Sequence, residues 1–126
     1  MIMKDMTFGE FIIAKRKDKD LSARQLAIAL NISPVYMCDI EKGRPKTPVS
    51  NEFLNKLCNI LNLTESEKEI MYDLAAIARD TVSADLPKYI MENELVRTAL
   101  RAAMKNNTPD EKWEKFINEV VIKNEG

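Results

Sequence analysis

Few residues in this chain have the types or spacing that enzymatic chemistry requires. It contains no histidine and only two cysteines, Cys38 and Cys58, which form neither a CxxC pair nor part of a cysteine/histidine cluster. General acid/base or nucleophilic catalysis needs positioned His, Cys or carboxylate groups. The two thiols fall on different expected helices, and the carboxylates are scattered among lysines and arginines as surface partners. A metal site needs grouped ligands, and a phosphate loop needs several closely spaced glycines, of which the whole chain has three. The expectation is therefore no enzyme, no cofactor and no metal. Both thiols read as buried or half-buried groups of a reducing compartment, without the basic neighbours that activate a redox cysteine.

What remains for chemistry is charge. The whole-chain net charge is −1, which is unpromising for a partner made of phosphates, but the distribution is uneven. From Lys4 to Lys46 nine Lys/Arg face six Asp/Glu, a net of +3, so the remainder carries −4. Such polarisation lets one face meet an anionic polymer. Within the basic part, the mixed run Lys15, Arg16, Lys17, Asp18, Lys19, Asp20 reads as a solvated helix end and loop, with direct phosphate contact as the alternative.

The elements that must position these charges are helices. A composition of 45% hydrophobic and 31% charged residues with few Gly and Pro is that of a helical globular protein. Thr7 with Glu10, Ser22 with Gln25, Thr64 with Glu67 and Thr108 with Glu111 fit the capping-box pattern. Ser33-Pro34 and Thr108-Pro109 place proline at a first helical position, where its missing N–H costs nothing. Helix starts are expected at about 8, 23, 34, 65 and 109. Apolar stripes agree: Phe8, Phe11, Ile12; Leu26, Ala27, Leu30; Met37, Ile40; Phe53, Leu54, Leu57, Cys58, Leu61. Five helices precede residue 80, the stretch from Thr81 to Pro87 is a connection, and Asn93 caps a helix running to about Lys105. No alternating strand pattern competes.

The informative segment is Ala23 to Lys42, two short helices around the turn Asn31, Ile32, Ser33. Leu26, Leu30, Ile32, Met37 and Ile40 point inwards, Ala27 is small where the second helix crosses, and Asn31 takes a left-handed backbone. A turn this tight makes the second helix protrude, and a protruding helix fits the DNA major groove. The run SARQLAIALNISPVYMCDIEKGR resembles the bipartite motif of the lambda repressor/Cro-like, or xenobiotic response element, family. The likeness rests on Gln25 to Ala27, Ser33 to Tyr36 and Asp39 to Arg44, and covers roughly residues 7–63. Asn31 departs from the glycine usual there, but tolerates the same backbone region.

The resemblance implies an all-α, lambda repressor-like five-helix DNA-binding domain over residues 1–80 followed by a helical extension over 81–126. It implies double-stranded DNA as partner, with Pro34, Val35, Tyr36 and Asp39 near base edges; the alternatives are that Tyr36 packs on the neighbouring helix and that Asp39 caps or pairs with a local Lys. Arg24, Ser33, Lys42, Arg44 and Lys46, with amides at the start of the Ala23 helix, would hold phosphates. Glu41 is expected to brace its helix end. Two-fold dimers commonly supply the specificity that one helix lacks, so a homodimer acting as a repressor is the expectation. The apolar face Trp113, Phe116, Ile117, Val120, Val121 is then either intramolecular core or a dimer surface. An alternative is an antitoxin-type regulator whose C-terminal helices hold a protein partner. No apolar run approaches a membrane span, and a cytoplasmic location is expected.

Overall fold

In the computed structural model, residues 6–44 and 50–125 are described, the last four of them in backbone only. The described residues are helical, with no strand, and form two compact units, Met1–Pro87 and Lys88–Gly126.

The first unit contains α1 (Phe8–Asp18), α2 (Ala23–Ala29), α3 (Pro34–Glu41), α4 (Asn51–Leu61) and α5 (Glu65–Ala78). Thr7, Ser22 and Thr64 each close the capping box expected of them, and Ser33 and Ser50 cap α3 and α4. The C-termini share one device. After α1, α2, α4 and α5 the chain passes through a left-handed residue, Asp20, Asn31, Asn62 and Asp80, with φ between 50° and 59°. The following amide returns to the carbonyl five residues back, as in Ile32 N–H to Ala27 O at 2.9 Å and Leu21 N–H to Arg16 O at 2.9 Å. This is the Schellman stop, built here on Asp and Asn, whose short polar side chains tolerate that backbone region. Only α3 ends on glycine, Gly43 at φ 66°.

The core gathers one stripe from each helix. Phe11, Ile12, Leu26, Met37, Leu54, Leu57, Leu61 and Met71 are almost wholly excluded from solvent. Phe8, Ala27, Leu30, Ile40, Cys58, Leu63, Leu74 and Ala75 belong to the same core, and Ile32, Tyr36 and Phe53 pack on its rim half-buried. The segment after α5 lies against the same unit: Ser83 Oγ donates to Asp73, and Ala84 touches the core. Cys58 is buried beside Met71, Sγ to Sδ 3.9 Å, and burial raises its thiol pKa, so it stays protonated.

Two lysine/arginine positions differ from expectation. Lys15 and Arg16 are not solvated. Lys15 is buried, and its Nζ pairs with Glu67 of α5 and lies 5.7 Å from the centre of the Phe11 ring. Arg16 makes a two-pronged pair with Glu41, Nε to Oε2 2.8 Å and Nη2 to Oε1 3.2 Å, and donates to Leu21 O at 3.2 Å. The alternating charges of that run had hidden which two side chains face inwards.

The second unit contains α6 (Pro87–Glu92, entered from the first unit's last residue), α7 (Glu94–Lys105) and α8 (Asp110–Glu125). Asn93 occupies the cap position of α7, as expected, but its side chain does not cap. Its Nδ2 donates back to Tyr89 O at 2.7 Å, and Arg97 Nη1 takes the carbonyls of Ile90 and Met91 at 3.1 and 2.6 Å. The end of α6 is thus satisfied by side chains from α7, which draws Asn93 away from the amides ahead of it. No described helix is long and apolar enough to cross a membrane.

Candidate nucleic-acid interface

The geometry of α2 and α3 follows from three local facts. The Schellman stop at Asn31, φ 59°, turns the chain out of α2 within one residue. Ser33 then starts α3 at once, its Oγ accepting from Tyr36 N–H at 3.0 Å while Pro34 needs no partner for an amide it lacks. Ala27, completely buried, lets the two helices approach.

One face of α3 is thereby sunk and the other presented. Met37 and Ile40 are 0% and 3% exposed, whereas Val35 is 72% exposed. Ser33 and Pro34 are exposed with it, and Tyr36 and Asp39 are half-buried. The capping hydroxyl of Ser33 uses one acceptor site and keeps its own hydrogen to donate.

The far end of α3 is held by α1. Gly9 lies so close to the Glu41 carbonyl that a Cβ there would sit 2.1 Å from its oxygen. The Arg16–Glu41 pair crosses the same junction, with Glu41's side chain 9% exposed. Its hydrogen bond to Glu41 raises the Arg16 pKa further above its already high ordinary value, so the guanidinium stays charged. Glu41 thus has the bracing position expected of it, and Arg16 and Gly9 are the partners sequence reasoning missed. A glycine inside a helical pattern was the available signal of a close approach.

Past α3 the left-handed Gly43 folds the chain back so that Arg44 N–H bonds Asp39 O at 3.1 Å, and Arg44 Nη1 pairs with Asp39 Oδ1 at 3.2 Å. A residue expected at bases and one expected at phosphates are therefore joined to each other. Arg24, Lys42 and Arg44 are exposed, and Arg24 sits at the start of α2. Lys46 lies outside the described residues. The capping box of α2 uses the Ser22 and Gln25 amides, so an anion there has the Ala23 and Arg24 amides to meet.

The C-terminal residues Phe116, Ile117, Val120 and Val121 are between 42% and 56% exposed. Trp113 is half-buried and meets Phe116 edge-on, ring centroids 6.3 Å apart. Among the described residues no group of His, Cys, Asp and Glu is placed to hold a metal ion.

Comparison with known proteins agrees with this geometry. A family model described as a helix-turn-helix domain matches residues 7–69. The chain is 39% identical over 75 residues to the ImmF control region 10 kDa protein of Bacillus phage phi105, an alignment that takes in 54% of this chain and 83% of that protein. No solved structure matches. The matched span runs from the cap of α1 into α5 and includes every residue that shapes the presented face of α3, and the chain belongs to the helix-turn-helix family of DNA-binding transcriptional regulators.

Proposed function

We propose that this protein is a repressor that binds a two-fold operator as a homodimer, with the first turn of α3 against base edges in the major groove. The observation that carries the reading is the division of α3 into a fully buried face, Met37 and Ile40, and a presented one, Pro34 and Val35. A helix set this way projects its N-terminal side chains beyond its supports, which is what groove entry requires.

The roles follow from side-chain chemistry. Pro34 and Val35 offer only apolar surface, suited to thymine methyl groups, and Tyr36 lies beside them. Asp39 has two carboxylate oxygens. Oδ1 holds Arg44, leaving Oδ2 to accept from a cytosine amino group. Arg24, Ser33, Lys42, Arg44 and Lys46 take phosphates and set the register. With so few hydrogen-bonding readers, part of the specificity falls to the shape and deformability of the DNA. The apolar face of α8, Trp113, Phe116, Ile117, Val120 and Val121, contributes to pairing of the two copies.

Selection of bound sequences from a random duplex pool tests this reading. The expected product is a pair of inverted half-sites about one helical turn apart, roughly 34 Å. Recovery of no enriched sequence would count against it.

A second reading is favoured by the exposed apolar side chains of α8: a regulator of antitoxin type, in which an unrelated protein covers those helices. Light scattering on the purified chain separates the two, since the homodimer reading requires twice the 14.4 kDa chain mass.

A further inference from the structure

The unit Lys88–Gly126 lacks an interior. None of its described side chains is buried, from Lys88 to Val121. A helical piece below about 40 residues cannot stabilise itself with one core and needs disulfides, metals or association. It has neither cysteine nor histidine.

Its apolar surface is arranged for more than one neighbour. At 100° per residue, Leu95, Val96, Ala99, Leu100, Ala102, Ala103 and Met104 spread over about 200° of the α7 circumference, whereas a helix resting on a single core needs a stripe of roughly 100°. Val96 and Ala103, in the middle of that arc, are half-buried. The two flanks stay open, with Leu95 84% and Met104 74% exposed. By the same count Phe116 through Trp113 to Val121 of α8 span about 140°.

Charge indicates what closes it. In α7 three Lys/Arg face one Asp/Glu, and in α8 five Asp/Glu face three Lys/Arg. The whole unit holds seven of each sign. A neutral surface whose two helices have opposite sign is complementary to itself under a two-fold axis. Stable interfaces bury roughly 800 Å² per partner, and nine large apolar side chains between Tyr89 and Val121, each at least 40% exposed, supply area of that order.

We propose that residues 88–126 are completed by a second copy of the same unit, α7 of each chain packing between its own α8 and the α8 of the other, so that this unit gains its core only on pairing. The proposal rests on the two-copy reading above and adds that α7, rather than α8 alone, is the central element and that its folding is coupled to association. The operator affinity then depends on protein concentration while the helix-turn-helix unit remains folded at any dilution.

The test uses the full chain. Sedimentation equilibrium and circular dichroism across the micromolar range are compared for wild type, Leu95→Glu, Met104→Glu and the control Ile77→Glu, which is 73% exposed on α5. The expected result is a wild-type dimer, dissociation constants raised about tenfold or more by either α7 variant, as for loss of a buried apolar anchor, and helicity that falls with dissociation. The control should behave as wild type, and the α7 variants should keep wild-type affinity for a single half-site duplex. A wild-type monomer, a different stoichiometry, or α7 variants that pair as tightly as wild type would overturn the proposal. Loss of half-site binding by every protein, wild type included, would instead remove the DNA reading and leave the pairing intact.

Discussion

Arg44 and Val35 divide the work of binding in the proposed complex. Arg44→Ala is expected to weaken binding to every duplex by a similar factor and to reduce the slope of log affinity against log salt by about 1, the value of one phosphate contact. Val35→Ala should leave that slope alone and change preference at one base step, by about 1 kcal/mol or less, since only an apolar contact is lost. Anisotropy titrations on several duplexes at several salt concentrations read both. Equal losses for both variants on every sequence would contradict the division. Asp39 lies between the two roles: Asp39→Ala removes a base acceptor and also frees the Arg44 guanidinium from its Oδ1. The presented residues were legible in the sequence because a short turn and a capped proline determine which way a helix faces. The Asp39–Arg44 pair was not, because their separation is not that of a helical ladder, and only the left-handed Gly43 brings them together.

Helix ends carry much of the order in the first unit. Asn31→Gly keeps the Schellman stop while relieving a left-handed non-glycine backbone, and should raise stability by up to about 1 kcal/mol; Asn31→Val should lower it by about 1–2 kcal/mol. Gly9→Ala places a methyl against the Glu41 carbonyl, so α1 must withdraw from the end of α3, at a cost of about 1–3 kcal/mol as for other overpacked sites. Denaturant midpoints check all three. The Lys15–Glu67 tie between α1 and α5 adds a pH signature. Its hydrogen bond to Lys15 holds the Glu67 carboxyl below its ordinary pKa, so its contribution is present above the ordinary carboxylate range and is lost as pH falls through the lowered value. Wild type should therefore lose more stability between neutral pH and about pH 3 than Glu67→Gln, which has already lost the tie. Capping boxes made the helix starts readable, since hydroxyl and acceptor sit three residues apart in sequence. Most of the stops were not, because Asp20, Asn62, Asp80 and Asn107 resemble any polar residue until φ is known. Asn93 shows the limit of the capping rule, having turned to a carbonyl behind it.

At the scale of the molecule, charge and apolar surface are separated along the chain. Residues 4–46 are net positive, 47–87 carry seven Asp/Glu against three Lys/Arg, and 88–126 are balanced. The acidic excess thus belongs to α5 and the segment after it, α4 being balanced, and the helix-turn-helix half of the first unit is positive, an asymmetry that orients its approach to a polyanion. The claim on which this account depends is that the first turn of α3 rests on base pairs. It is tested most directly by nuclear magnetic resonance of the full chain with the duplex recovered by selection. The account predicts that the largest amide shifts fall between Ser33 and Asp39, with intermolecular contacts from the Val35 methyls to base protons in the major groove. Shifts confined to α4, α5 or the 88–126 unit, with the Val35 methyls unaffected at saturation, would contradict it.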